Sequence, residues 1–219
     1  MQTSSGSRVE GRVVFEGGSA DPARAAITTL PTDFDLAPLG GPGARATVQA
    51  DGRFVLDGLN GPRRIRLLRA PESWNLKAIR VNGRDLTDEP LSFGGKQDSL
   101  SDVEVVLTNR AAGIRGNVSD RRGQAVTDYT VIVYATDADR WYQGSRFLRF
   151  TRPKSDGTFA VPDLPSGRYY VAAVDRLQGN EGSGEWQDPA LLESIASQAT
   201  KVALTDGQVS DVTPRLIVR

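Results

Sequence analysis

The chain has 219 residues, and its 27 basic and 27 acidic side chains give a formal net charge of zero. It contains no cysteine and no histidine, which excludes disulfides, Cys/His zinc sites and imidazole bases. The balanced charge gives no indication of a nucleic-acid partner, and no apolar run is long enough for direct membrane insertion.

The N-terminal end combines a polar start with a first strand. Residues 1–7 are small and polar and lack the apolar core of a signal peptide, so they predict a flexible leader. From Arg8 onwards apolar and charged residues alternate, with Val9, Gly11 and Val13 on one face. This period of two predicts a half-buried β-strand.

The most informative feature is a repeat at an offset of 105 residues. The segments that return are 9–13 as 114–118, 51–56 as 156–161 and, at an offset of 109, 102–107 as 211–216. A period near 100 residues is the length of a domain rather than of a solenoid unit. The sequence therefore predicts two related modules, over residues 8–108 and 109–219.

Turn signals recur throughout both modules. Asp51-Gly52, Asn82-Gly83 and Asp156-Gly157 each lie between short apolar runs and predict tight turns in which glycine takes a positive φ. Residues 129–134, Tyr-Thr-Val-Ile-Val-Tyr, form the most β-prone run and predict a central strand. This spacing of short strands is typical of an all-β antiparallel sandwich in each module.

One segment has helical rather than strand character. Asp188 is a suitable N-cap, Pro189 fits the first helical position, and Leu191, Leu192 and Ile195 share one helical face. The pattern predicts one short helix over residues 189–197, inside the part where the second module is longer.

The order Val-x-Gly-x-Val, then Asp-Gly-x-Phe, resembles the carboxypeptidase regulatory-like domain, a transthyretin-like (prealbumin-like) sandwich of the Ig-like type. The second module keeps the family's Pro-x-Gly-x-Tyr as 165–169, whereas the first has Gly61-Pro62-Arg63 instead. The resemblance implies a non-catalytic module. It also implies a bacterial protein that is extracellular, periplasmic or associated with the outer membrane.

Acidic pairs and small nucleophiles give no active-site pattern. Asp33/Asp35 and Asp137/Asp139 could offer oxygens to Ca²⁺, but they lack the dense spacing of a calcium loop and indicate turns or caps. Serine and lysine motifs of hydrolases are missing from the sequence. We therefore predict no catalytic residue, no metal site and no cofactor.

Residues 140–154 interleave arginines with aromatics and predict a ligand-binding site, to which a second tryptophan is added. Its candidate members are Trp141, Tyr142, Arg146, Arg149 and Trp186. Such residues can stack on sugars or peptide side chains while arginine holds anionic groups. The structural alternative is an edge strand that buries Leu148 and Phe150 and exposes Arg149, with Trp186 packed against the helix.

These observations favour a non-catalytic structural or interaction module, with a spacer, display or adhesion-type role in a bacterial envelope or secreted protein. Its partner would be a protein or a glycan, or a second copy bound through an edge strand. The alternatives are a carbohydrate-binding module and an accessory domain of a larger enzyme or outer-membrane receptor. Exposed coplanar aromatics would favour glycan binding, and buried ones would favour structure.

Overall fold

A computed structural model of the chain describes residues 6–33, 44–94, 99–177 and 184–219. Its contacts divide the chain into two compact units, Met1–Asn109 (unit 1) and Arg110–Arg219 (unit 2). Residues 1–5 of the predicted leader lie outside the described residues. Ser7, also assigned to the leader, instead belongs to the first strand and is only 3% exposed, and its hydroxyl accepts a hydrogen bond from the Gly94 amide.

Unit 1 is a sandwich of two sheets. Its strands are β1 Ser7–Glu16, β2 Ala26–Pro31, β3 Arg45–Thr47, β4 Arg53–Leu59, β5 Gly61–Arg69, β6 Asn75–Val81, β7 Arg84–Asp85, β8 Leu91–Phe93 and β9 Leu100–Thr108. One sheet has the order β4-β1-β9-β6-β7 and the other β3-β2-β5-β8. A single apolar cluster from both sheets fills the space between them.

Unit 2 repeats this plan with one helix added. Its elements are β10 Ala112–Ser119, β11 Ala125–Val126, β12 Thr130–Ala135, β13 Leu148–Thr151, β14 Thr158–Leu164, β15 Gly167–Val174, α1 Pro189–Ala196, β16 Thr200–Leu204, β17 Val209–Val212 and β18 Leu216–Ile217. β10 pairs with β11, β14 and β17 in one sheet. The other sheet has the order β13-β12-β15-β16, with β18 beside β15.

The predicted fold class is confirmed: both units are all-β sandwiches, and unit 2 carries one short helix. The side chain of Asp188 accepts a hydrogen bond from the Ala190 amide at 2.9 Å, as expected of an N-cap. Within the mainly antiparallel sheets, β1–β9, β10–β17 and β15–β18 are parallel pairs. The sequence pattern does not indicate these pairs, because strands far apart in the chain can pair in either direction. Among the described residues, no helix has the length and apolar character needed to cross a bilayer.

The glycine shared by Val9-x-Gly11-x-Val13 and Ile114-x-Gly116-x-Val118 has a steric cause. A Cβ atom at Gly11 would lie 2.2 Å from the Val103 carbonyl oxygen, and one at Gly116 would lie 1.8 Å from that of Val212. In both units the parallel neighbour passes too close for any side chain at this position. Glycine is therefore required where the first strand of each unit meets its parallel neighbour, β9 or β17.

The Asp-Gly turns have the predicted backbone. Gly52 and Gly157 adopt φ angles of +85° and +75°, and the carboxylates of Asp51 and Asp156 each accept the backbone N–H two residues on. Residues 82–83 both have positive φ, as a tight Asn-Gly hairpin requires. These turns end the strands at the positions that the sequence predicts.

The two units differ in the segment that precedes their last strands. In unit 1 it forms β6, which pairs with β9 over residues 75–81. In unit 2 it forms α1, and β17 pairs only with β10 among the described residues. Pro214 stands, at the repeat offset of 109, where unit 1 has Val105. Proline has no N–H to donate to a neighbouring strand, and β17 ends at Val212, two residues before Pro214.

Candidate interaction site in unit 2

The outer face of the sheet around β12 positions the two tryptophans of the predicted site. β12 is buried on both faces, with Val131 and Val133 in the core between the sheets and Ile132 and Tyr134 in a second apolar cluster outside it. The continuous apolar run of β12 is therefore explained by the burial of both of its faces. The helix α1 supplies the outer cover with Leu191, Leu192 and Ile195, which are all buried.

Trp141 belongs to this outer cluster. It follows a short 3-10 turn over residues 138–140, whose cap is the Asp137 carboxylate. The indole is 8% exposed, its Nε1 donates to the Ala135 carbonyl at 2.7 Å, and its ring meets that of Tyr134 edge-on at 5.4 Å. A buried tryptophan with a satisfied N–H holds the end of β12 in place.

Trp186 lies in the same cluster. It is 6% exposed and stacks on Phe150 of β13, with ring centroids 5.7 Å apart and an angle of 27° between the planes. The neighbouring hydroxyl of Tyr134 donates to the Leu192 carbonyl at 3.0 Å. Burial raises the pKa of Tyr134 well above its ordinary value. Both tryptophans therefore belong to the apolar cluster that forms the joint, that is, the packing contact, between the sheet and α1.

The two arginines of the predicted site, Arg146 and Arg149, have different surroundings, and Arg146 shares its aromatic ring with Arg140. The guanidinium carbons of Arg140 and Arg146 are 4.1 and 4.9 Å from the centroid of Phe147, a side chain that is buried at the end of the core. Arg149 is half-buried, and its Nη1 donates to the carbonyls of Ser145 and Leu148 at 3.0 and 3.2 Å. Desolvation lowers the pKa of Arg149. The expectation that Arg149 is exposed is therefore wrong, because its guanidinium is held against the backbone carbonyls of Ser145 and Leu148.

The burial of the remaining side chains shows whether the predicted site is open to a ligand. Leu148 is buried, as the edge-strand interpretation predicts, whereas Phe150, which it also predicts to be buried, is half-buried, and so is Tyr142. Neither tryptophan presents a ring face to solvent. The assignment of Trp141, Tyr142, Arg146, Arg149 and Trp186 to ligand binding stays a prediction, and their contacts favour the structural interpretation.

The acidic candidates have local roles. Asp137 accepts the Asp139 N–H at 3.2 Å and pairs with Arg140 at 3.3 Å. Asp33 lies after β2, and Asp35 lies outside the described residues. Over the described ranges, no group of three or more acidic side chains is placed to hold a metal ion.

Sequence reasoning missed a polar link between the two sheets of unit 1. The buried hydroxyl of Thr87 accepts the Ile79 N–H of β6 at 2.8 Å and donates to the carboxylate of Asp85. The Thr87 carbonyl accepts Nη1 of Arg66, on β5, at 2.7 Å. The motif Arg-Asp-x-Thr-Asp after the Asn-Gly turn is the signal that could have identified this link.

Comparisons with known proteins give only distant likenesses. No family model and no curated protein matches the chain. Similar solved structures include the TIE protein of Bacillus anthracis, a streptococcal ancillary pilin and the shaft pilin SpaA of Lactobacillus rhamnosus GG. Their identities are 10%, 12% and 11%, and their TM-scores are 0.32, 0.35 and 0.32.

The matches cover 96%, 98% and 97% of this chain and 34%, 63% and 98% of the other three. The chain thus spans about a third of the TIE protein and less than two thirds of the ancillary pilin. At these identities and TM-scores the likenesses carry no argument about function.

Proposed function

We propose that the chain is a non-catalytic structural or interaction module, a spacer, display or adhesion-type part of a bacterial envelope or secreted protein. Each unit would be an independently folding domain, with boundaries near 8–108 and 109–219. The observation that carries the proposal is the burial of Trp141 and Trp186, the side chains best suited to bind a ligand, in the joint between a sheet and a helix.

The charged side chains of the first and last strands support the same role. Arg12 meets Glu104 at 2.6 Å in unit 1, and Arg115 meets Asp211 at 2.7 Å in unit 2. The hydrogen bond from Arg115 lowers the pKa of the Asp211 carboxyl and raises that of Arg115. Exposed pairs of this kind contribute little energy each. Their position across the parallel strands points to strand alignment rather than to chemistry.

A carbohydrate-binding role is the alternative. It needs aromatic faces open to a sugar ring, and two half-buried rings of unit 2, those of Phe150 and Tyr170, are in contact with other side chains. Phe150 is stacked on Trp186, and the centroid of Tyr170 lies 5.2 Å from that of Tyr134 and 5.6 Å from the Lys201 ammonium. The role of an accessory domain in a larger enzyme or receptor concerns the parent protein and is a second alternative.

Location and family are part of the proposal. The resemblance to carboxypeptidase regulatory-like domains, carried by the repeated Val-x-Gly-x-Val and Asp-Gly-x-Phe segments, supports an extracellular, periplasmic or outer-membrane-associated protein. The steric role of Gly11 and Gly116 gives the first of these segments a physical basis.

The test is a combined turnover and glycan-array experiment on the purified chain. We expect no hydrolysis of peptide, ester or glycoside substrates above buffer, and no glycan signal that Trp141→Ala or Trp186→Ala removes. Turnover that a single carboxylate substitution abolishes would contradict the non-catalytic role. Glycan binding lost in the tryptophan variants, with melting unchanged, would support the carbohydrate-binding alternative instead.

A further inference from the structure

The strands through which the chain enters and leaves unit 1 are bonded directly to each other. β1 and β9 are parallel and pair through seven residue pairs, from Val9 with Leu100 to Glu16 with Thr108. On their other sides β1 pairs with β4, and β9 pairs with β6. The first and last strands of the unit therefore lie inside one sheet, with a further strand on each side.

Because β1 and β9 are parallel, the direction of a pulling force determines whether their hydrogen bonds are loaded together or one after another. A pull at the start of β1 and at the end of β9 moves the two strands in opposite directions along their common axis. The hydrogen bonds between them are then strained together, so none can break alone before the others share the load. A pull at the same end of both strands would instead open these bonds one after another.

Unit 2 has the same topology in a shorter form. β10 and β17 pair through four residue pairs, from Gly113 with Val209 to Gly116 with Val212, and one further bridge follows beyond them. Pro214 then ends the strand, and the last strand, β18, pairs with β15 through two residue pairs. Fewer bonds would resist the same pull.

We propose that the chain transmits tension along its length, with unit 1 as the mechanically stronger element. This function rests on the proposed role as a spacer and deepens it, because a spacer under tension must resist forced unfolding. Resistance to force is set by the unfolding rate under load, which parallel strands in shear keep low.

The direction of pulling gives the sharpest test. The chain has no cysteine, so an introduced thiol provides a unique attachment point. In single-molecule force experiments on the full chain, an N-terminal tag and Asn109→Cys load β1 and β9 in shear. The same tag with Ser101→Cys loads the same two strands from one end. Both positions are exposed, and equal melting temperatures would show that both variants are folded.

We expect the rupture force in shear to exceed that from one end by roughly twofold or more, since the bonds between the strands must yield together. Equal forces in the two directions would overturn the proposal. They would leave the non-catalytic role untouched, because turnover and glycan binding are measured separately.

A second arm compares the units. Asn109→Cys with a C-terminal tag loads unit 2 alone, and we expect a lower rupture force, because β10 and β17 share four residue pairs whereas β1 and β9 share seven. A matched variant, Val105→Pro, places in β9 the residue that ends β17. It should bring the force of unit 1 down towards that of unit 2, and if it fails to fold, the wild-type comparison stands by itself. Unit 2 as strong as unit 1 would overturn the assignment of strength to the longer parallel pair.

Discussion

Unit 1 and unit 2 share one frame but use the segment before their last strands in opposite ways. In unit 1 the segment becomes β6 and widens a sheet beside β9. In unit 2 it becomes α1, which covers the outer face of the sheet around β12. A repeat therefore preserves the strands that form the frame, while the connection between them can change its type of secondary structure.

The side chains beneath each connection explain the difference. The outer face of β12 carries Ile132 and Tyr134, which are both fully buried beside α1, and each such side chain gains about 1.5–3 kcal/mol on burial. The outward positions of β2 and β5 in unit 1 carry the polar residues Thr28 and Arg66, which bond to backbone carbonyls. Among the described residues, an apolar outer face covered by a helix is found in unit 2 and not in unit 1.

The largest expected effect comes from removing a side chain that packs between the sheet and α1 in unit 2. Trp186→Ala removes the ring stacked on Phe150 beside α1 and should destabilise unit 2 by about 3 kcal/mol or more, as large truncations of buried aromatics do. Calorimetry of the full chain should show the transition of unit 2 lowered and that of unit 1 unchanged. Trp186→Phe is the matched control and should recover part of the loss. A melting curve like that of the wild type would show that Trp186 is not part of the core.

The next effect tests the feature that both units share. Gly116→Ala places a Cβ atom 1.8 Å from the Val212 carbonyl oxygen and should cost about 2–3 kcal/mol, since the backbone of β17 must move. Gly113→Ala on the same strand is the control, because its Cβ atom would have 3.3 Å to its nearest neighbour. Chemical unfolding of both variants measures the difference. If the two are equally stable, close approach of the strands is not why the repeat keeps glycine.

Turn substitutions test whether the units respond separately. Gly52→Val and Gly157→Val place a β-branched residue at positive φ and should each lower only the transition of their own unit, by about 1–2 kcal/mol. Gly157→Val should have the larger effect, because a Cβ atom there also meets the Thr127 methyl at 2.9 Å. Thermal scans that move both transitions together would show that the units unfold as one.

The smallest expected effect comes from replacing a polar core residue of unit 1 by an apolar one, as unit 2 has in its central strand β12. Thr29, on the inner face of β2, has a buried hydroxyl without a hydrogen-bond partner among the described residues, whereas the inner positions of β12 are all apolar. Thr29→Val should stabilise unit 1 by about 1 kcal/mol, because it removes an unsatisfied polar group with little change of shape. Thr29→Ser, which keeps the hydroxyl and loses the methyl, should destabilise it. A stability loss in the valine variant would mean that the hydroxyl is satisfied in solution.

Local patterns predicted much of this fold because they act over a few residues. The Asp-Gly and Asn-Gly turns follow from backbone preference, and α1 follows from its Asp-Pro start. The parallel pairs could not be predicted, since strand direction across about 100 residues of chain is set by packing and not by local pattern. The requirement for Gly11 and Gly116 depends on that same pairing, so it became clear only from the structure.

The candidate site was less predictable for a different reason. The sequence shows that Trp141 and Trp186 have no aromatic counterpart at the repeat offset in unit 1. Only burial, however, decides whether an aromatic side chain binds a ligand or fills a core. The uninterrupted apolar run in β12 was the available signal that its outer face is covered. Combined with the short helix, that run points to Trp186 as part of the cover rather than as an exposed binding residue.

Unit 1 extends its sheet with β6, whereas in the described part of unit 2 no strand pairs with the far side of β17, and α1 covers a sheet face instead. Native-state hydrogen exchange on the full chain tests this difference most directly, because paired central strands open least often. We expect the amides of β9 to be among the slowest in unit 1, and those of β17 to exchange much faster than those of β12 and β15. Protection of β17 equal to that of β9, or fast exchange along β6, would contradict the account.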